Sequence, residues 1–104
     1  MRKVIMRKGR PRKTRIVRNE PNLRQFSPRG RVGRPGYNVL KLEELEAIRL
    51  ADYTGLSQAE AAGSMGISQQ TFSRVLKNGR KSLAEAIVLG KIIKVDGGDY
   101  RIDK

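Results

Sequence analysis

The chain has 104 residues, with 23 Lys and Arg against 10 Asp and Glu, a formal charge of +13, and it contains no His, Cys or Trp. That length accommodates one domain, or one small domain with an arm. Without His or Cys there is no zinc site, thiolate nucleophile, haem ligand or imidazole base, and no disulfide; neither a metal nor a cofactor is expected. No apolar run approaches the roughly 20 residues needed to cross a bilayer, so no membrane association is expected. The basic start MRKVIMRKGR leads into no apolar stretch and does not read as a secretory signal. The expectation is a cytoplasmic protein with a polyanionic partner, and nucleic acid is the commonest polyanion.

The excess charge is concentrated. Residues 1–36 hold thirteen Lys/Arg and one acid, Glu20, a net +12, whereas residues 37–104 hold ten against nine, a net +1. The first third also carries all four prolines and shows no helical or strand period. It reads as a basic, largely extended N-terminal arm. From Tyr37 the pattern changes. Leu42, Leu45, Ile48 and Leu50, with Ala51 and Tyr53, alternate with Glu43, Glu44, Glu46 and Arg49, predicting an amphipathic helix over 42–54 that starts with acids and ends at Thr54-Gly55. Ser57 with Glu60 three residues on forms a capping box for a short Ala-rich helix that stops at Gly66. Ser68 caps a third helix reaching about Leu89, with Asn78-Gly79 as a weak point. Ile92–Val95, Asp96-Gly97-Gly98-Asp99 and Tyr100–Ile102 read as strand, turn and strand, a C-terminal β-hairpin. The fold class expected is mainly α, with domain 37–104 behind the arm.

The central signal is Gln58-x3-Ala62-x3-Gly66-Ile67-Ser68-x2-Thr71-Phe72-Ser73-x-Val75-Leu76, the helix-turn-helix pattern. Ala62 is small where the third helix crosses, and Gly66 permits a left-handed turn. Ile67, Phe72 and Val75 fill the wedge between the helices, with Met65 and Leu56 behind them. Phe72 stands where a β-branched residue is usual. The outward set on the third helix is then Ser68, Gln69, Gln70, Ser73, Arg74 and Lys77. Gln pairs bidentately with adenine and Arg with guanine in the major groove. Ser57, Arg80 and Lys81 are placed for phosphates, which position without specifying. In the arm, Lys8-Gly9-Arg10-Pro11-Arg12-Lys13 and Val32-Gly33-Arg34-Pro35-Gly36 resemble AT-hook cores. Arg10, Arg12, Lys13 and Arg34 suit a narrow minor groove or phosphates.

Residues 45–83 resemble region 4 of bacterial sigma factors. Nearly the whole chain, about 9–102, resembles a family of small prokaryotic proteins known as domain of unknown function 134. The matching pieces are Gly9-Arg10-Pro11-Arg12-Lys13, Phe26-x-Pro28, Leu45 to Asp52, Gly55-Leu56-Ser57-Gln58, Met65-Gly66-Ile67-Ser68, Gln70-Thr71-Phe72 and Gly97-Gly98. The resemblance implies a DNA-binding protein of the prokaryotic nucleoid. Some relatives are joined to an iron–molybdenum-cofactor-type domain, and many carry cysteines near Thr14 and Val17. This chain has none there, so metal or redox sensing by the arm is not expected.

The function expected is sequence-specific binding of double-stranded DNA in transcription regulation. The alternative is an RNA- or ribosome-associated basic protein, which would use the arm but not a groove-reading helix, and would want more aromatic stacking than two Phe and three Tyr supply. An enzyme is not expected, because Asp96, Asp99 and Glu43, Glu44, Glu46 have ordinary turn and helix-start explanations. A homodimer is expected, through Leu83, Ala84, Ala86, Ile87, Val88 and Leu89 and through hairpin residues Ile93, Val95, Tyr100 and Ile102.

Overall fold

A computed structural model describes residues 14–30, 33 and 35–103 of the chain. These residues form three helices and two small sheets. Helix α1 (Leu42–Ile48) continues into one π-helical turn over Arg49–Tyr53, closed by the Thr54 N–H on the Arg49 carbonyl at 2.7 Å. Together they cover the expected 42–54. The wide turn shifts the phase of the helix, and Tyr53, expected on the apolar face, is 87% exposed. Helix α2 (Gln58–Met65) has the anticipated capping box: the Ser57 hydroxyl accepts the Glu60 N–H (3.1 Å) and the Ser57 N–H donates to the Glu60 carboxylate (3.0 Å). It ends at Gly66, whose φ of 67° is the left-handed conformation glycine adopts without strain. Helix α3 (Gln69–Leu89) is capped by Ser68 and runs unbroken past Asn78-Gly79. Gly79 marks a close approach rather than a weak point. A Cβ there would lie 2.9 Å from the Glu44 Cβ and 3.3 Å from the Glu44 carbonyl oxygen, so α1 and α3 touch through it.

The strands depart further from expectation. Strand β1 (Arg15–Val17) pairs in parallel with β5 (Tyr100–Ile102), while β4 (Ile92–Val95) lies between β2 (Gln25–Phe26, antiparallel) and β3 (Tyr37–Leu40, parallel). No β4–β5 hairpin exists, because upstream segments occupy the edges it would have joined. The 96–99 connection instead rests on the start of α1. There the Leu42 N–H donates to the Gly97 carbonyl (3.2 Å) and the Asp99 N–H to Glu43 (3.0 Å). Gly98, at φ 111°, holds a backbone conformation that disfavours any side chain, and a Cβ there would displace the Glu43 carboxylate. The boundary expected at 36/37 is likewise crossed. Residues 15–17 are extended, as read, but Val17 is buried in the fold and pairs with its C-terminal strand.

The core is two clusters joined by Ile48. One, around Phe72, gathers Ala47, Leu50, Ala61, Ala62, Met65, Ile67, Val75 and Leu76; the other gathers Val17, Leu40, Leu42 and Val95. The wedge residues read from the sequence are all in the first cluster, with Leu56 packed at its edge. Three glutamates of α1 are buried beside these clusters, each with a backbone or guanidinium partner. Glu44 accepts the Lys41 N–H at 2.9 Å, and Glu46 accepts the Arg18 N–H (3.0 Å) and the Arg49 fork, with both contacts at 2.9 Å.

Candidate nucleic-acid interface

The turn Gly66-Ile67-Ser68 fixes how α3 leaves α2. Ile67 is buried between the helices, and its N–H donates to the Ala62 carbonyl at 3.1 Å. Strand β1 braces this turn: a Cβ on Gly66 would lie 3.1 Å from the Ile16 Cδ1, and the Arg18 guanidinium donates to the Ser64 carbonyl at 3.2 Å. The bracing from the arm segment was not anticipated, since Arg15-Ile16-Val17 is too short to show a period.

The outward set on α3 is placed as read. Ser68, Gln69, Gln70, Ser73, Arg74 and Lys77 are all exposed. Gln70, Arg74, Lys77 and Lys81 recur at three- and four-residue intervals, so they share one stripe about 17 Å long at 1.5 Å per residue. Gln69, Gln70, Ser73, Arg74 and Lys77 make no side-chain hydrogen bond or ion pair with any described residue, leaving their donors available. Ser68 is different. Its hydroxyl accepts the Thr71 N–H (3.0 Å) and donates to the Thr71 hydroxyl (2.9 Å), so it builds the helix start rather than offering a free contact.

The residues read as phosphate contacts separate. Lys81 is exposed beside a shallow groove of about 340 Å³ lined by Asn38, Val39, Asn78, Ser82 and Glu85. Arg80 is held by Asp52 of the π-helical turn in a bidentate pair at 2.7 and 3.0 Å. That bond lowers the Asp52 pKa and raises that of Arg80. The pair was not legible, because it depends on the widened turn. Ser57, exposed at the start of α2, is committed to its capping box, whose backbone and side-chain bonds also lower the pKa of Glu60. Arg10, Arg12, Lys13 and Arg34 lie outside the described residues. Among the described residues, no group of three or more Asp, Glu, His or Cys could hold a metal ion, and no helix is long and apolar enough to cross a membrane.

Comparison with known proteins gives close relatives. A UPF0251 protein of Methanococcus vannielii is 46% identical over 102 residues, covering 94% of this chain and 76% of the relative. Another, from a Thermoanaerobacter species, is 47% identical over 97 residues, covering 89% of this chain and 83% of its own length. A third, from Caldanaerobacter subterraneus, is 46% identical over 97 residues, with shares of 89% and 80%. No solved structure matches significantly. The pattern of the family described as "Protein of unknown function DUF134" matches residues 5–103, and the chain belongs to that family.

Proposed function

We propose that this chain binds double-stranded DNA sequence-specifically and regulates transcription, with α2, the Gly66-Ile67-Ser68 turn and α3 acting as a sigma-region-4-like helix-turn-helix. The observation carrying this reading is the stripe Gln70, Arg74, Lys77 and Lys81, which runs from the start of α3 to just past its middle. It is exposed and lies beyond a glycine turn whose wedge is closed by Ile67, Phe72 and Val75. A helix set out from its partner in this way enters the roughly 12 Å major groove, with its first turns at the base edges. Arg74 supplies a bidentate donor fork for guanine and Gln70 a donor–acceptor pair for adenine, and Ser73 can serve either partner. Lys77 and Lys81 reach phosphates. Arg10, Arg12, Lys13 and Arg34 supply further cationic contacts, in the minor groove or along the backbone.

The test is selection of bound sites from genomic DNA, followed by titration of the selected duplex and of a random one. Arg74→Ala and Gln70→Ala are expected each to weaken the selected site by ~1–3 kcal/mol while leaving random duplex nearly unchanged. Equal losses on both duplexes would show that this face does not read bases. Single-stranded RNA competing better than duplex at the same salt would transfer the reading to RNA.

A further inference from the structure

The 21-residue helix α3 is about 31 Å long, and its surface changes character along its length. Through Lys81 the outward face is polar and basic. From there to its end the solvent face is largely apolar, with Ala84 exposed, Ile87 69% exposed, Val88 79% exposed and Leu89 51% exposed, and with Glu85 as the one charged side chain among them. Successive residues turn about 100°, so Ala84, Ile87 and Val88 lie together on one side of the last turns. The three large residues present on the order of 300 Å² of apolar surface, within the range of the largest patch on a monomer, which is often functional.

We infer that this tip is a homodimer interface, in which the last two turns of α3 pack against the same turns of a second copy about a two-fold axis. Charge favours that occupant. In a chain of net charge +13, residues 82–90 hold a single charged group, Glu85, which is negative and paired with Lys91 at 2.8 Å. Two copies therefore meet where their mutual repulsion is least, whereas a polyanion gains nothing from this surface. Burying both tips covers on the order of 600 Å², with the Lys81 and Glu85 stems adding to it at the edge, the size of a weak, concentration-dependent interface. Length also fits. Ser73 lies about 22 Å along the axis from Val88, so two copies joined tip to tip with collinear axes hold their reading ends about 45 Å apart. A moderate angle between the axes brings that to the 34–36 Å between half-sites one turn of DNA apart. The spacing rests on the duplex-binding reading above; the self-association does not.

The experiment is sedimentation equilibrium of the full chain without DNA, from 1 to 200 µM, for the wild type, Ile87→Glu, Val88→Glu and the control Leu23→Glu, which alters an apolar residue 63% exposed elsewhere. The expected result is a wild-type dimer whose dissociation constant rises at least tenfold in the two α3 variants and stays unchanged in the control. Circular dichroism of each variant verifies that the fold is retained. A wild type that stays monomeric to 200 µM overturns the inference, as does a dimer that survives both α3 substitutions. Such a monomer could still bind a selected duplex, which would leave the DNA reading standing. If the dimer forms but selected DNA carries no paired half-sites about 10 base pairs apart, the interface holds and the spacing falls.

Discussion

Gly63 and Gly79 sit inside helices, so the usual expectation is that alanine stabilises both by ~0.5–1 kcal/mol through lost unfolded-state entropy and better helix propensity. The structure separates them. At Gly63 a Cβ meets nothing within 4 Å, and Gly63→Ala is expected to show the full gain. At Gly79 the same atom would lie 2.9 Å from the Glu44 Cβ, 3.3 Å from the Glu44 carbonyl and 3.3 Å from the Ile48 Cδ1. Two of those three atoms belong to or adjoin the α1 backbone, so relief requires α1 to move. Overpacking of that kind costs ~1–3 kcal/mol, which offsets or exceeds the propensity gain and makes Gly79→Ala neutral to about 2 kcal/mol destabilising. For a chain of this size 1 kcal/mol moves Tm by roughly 4–8 °C, so calorimetry resolves opposite signs easily. If Gly79→Ala raises Tm as much as Gly63→Ala, α1 and α3 do not pack at this distance.

Three further outcomes are expected. Glu46→Ala leaves the Arg18 N–H and the Arg49 fork without their acceptor and should cost about 2–4 kcal/mol in urea unfolding, less than a fully buried pair because Arg49 remains 28% exposed; a loss below 0.5 kcal/mol would mean that water replaces the carboxylate. Burial raises the Glu44 pKa, so between the ordinary glutamate value and the raised one the folded state binds more protons and acidification favours it. Glu44→Gln removes that support and should steepen the loss of stability as pH falls through this window; an unchanged slope would show that Glu44 titrates normally. Deleting residues 1–13 removes seven Lys/Arg and no acid, and should flatten the slope of log K against log salt by several units; an unchanged slope would show that these residues make no phosphate contacts.

The α2–α3 unit was legible because it is local. Two serine caps, one left-handed glycine and a wedge of three apolar side chains define it within about twenty residues, and each signal has a single steric reading. The sheets were not legible, for the opposite reason. Ile92–Val95 and Tyr100–Ile102 carry ordinary strand signals, and the Gly-Gly turn between them suits a hairpin as well as a crossing to another sheet. What decides between them is Arg15–Val17 and Arg24–Phe26 arriving from more than sixty residues upstream, in a segment whose composition reads as solvated. The glutamates of α1 misled in the same way. Glu43 and Glu44 look like dipole-complementing acids at an exposed helix start, yet both are buried, Glu43 where the Asp99 amide donates to it and Glu44 where Gly79 of α3 packs against it. Burial of an acid depends on where its donors lie in space, which periodicity does not record.

The woven first segment also changes what the charge of the chain can do. Of the thirteen cations in residues 1–36, Arg15 is buried against Asp99, Arg18 braces the α2–α3 turn, and Arg24 lies 3.6 Å from Glu20. These charges act within the fold. The seven of residues 1–13 remain as the block of unbroken positive sign, and they are tethered at β1, the strand whose Ile16 touches Gly66. An arm anchored there starts at the base of α3, not at a distant end of the domain. Thirteen residues reach at most about 45 Å, a little more than one turn of B-DNA. If the proposed complex forms, that reach covers the stretch of duplex next to the one α3 addresses. The strand that sets the arm's origin also braces the turn that aims the helix, so loss of β1 pairing is expected to disturb both contacts together.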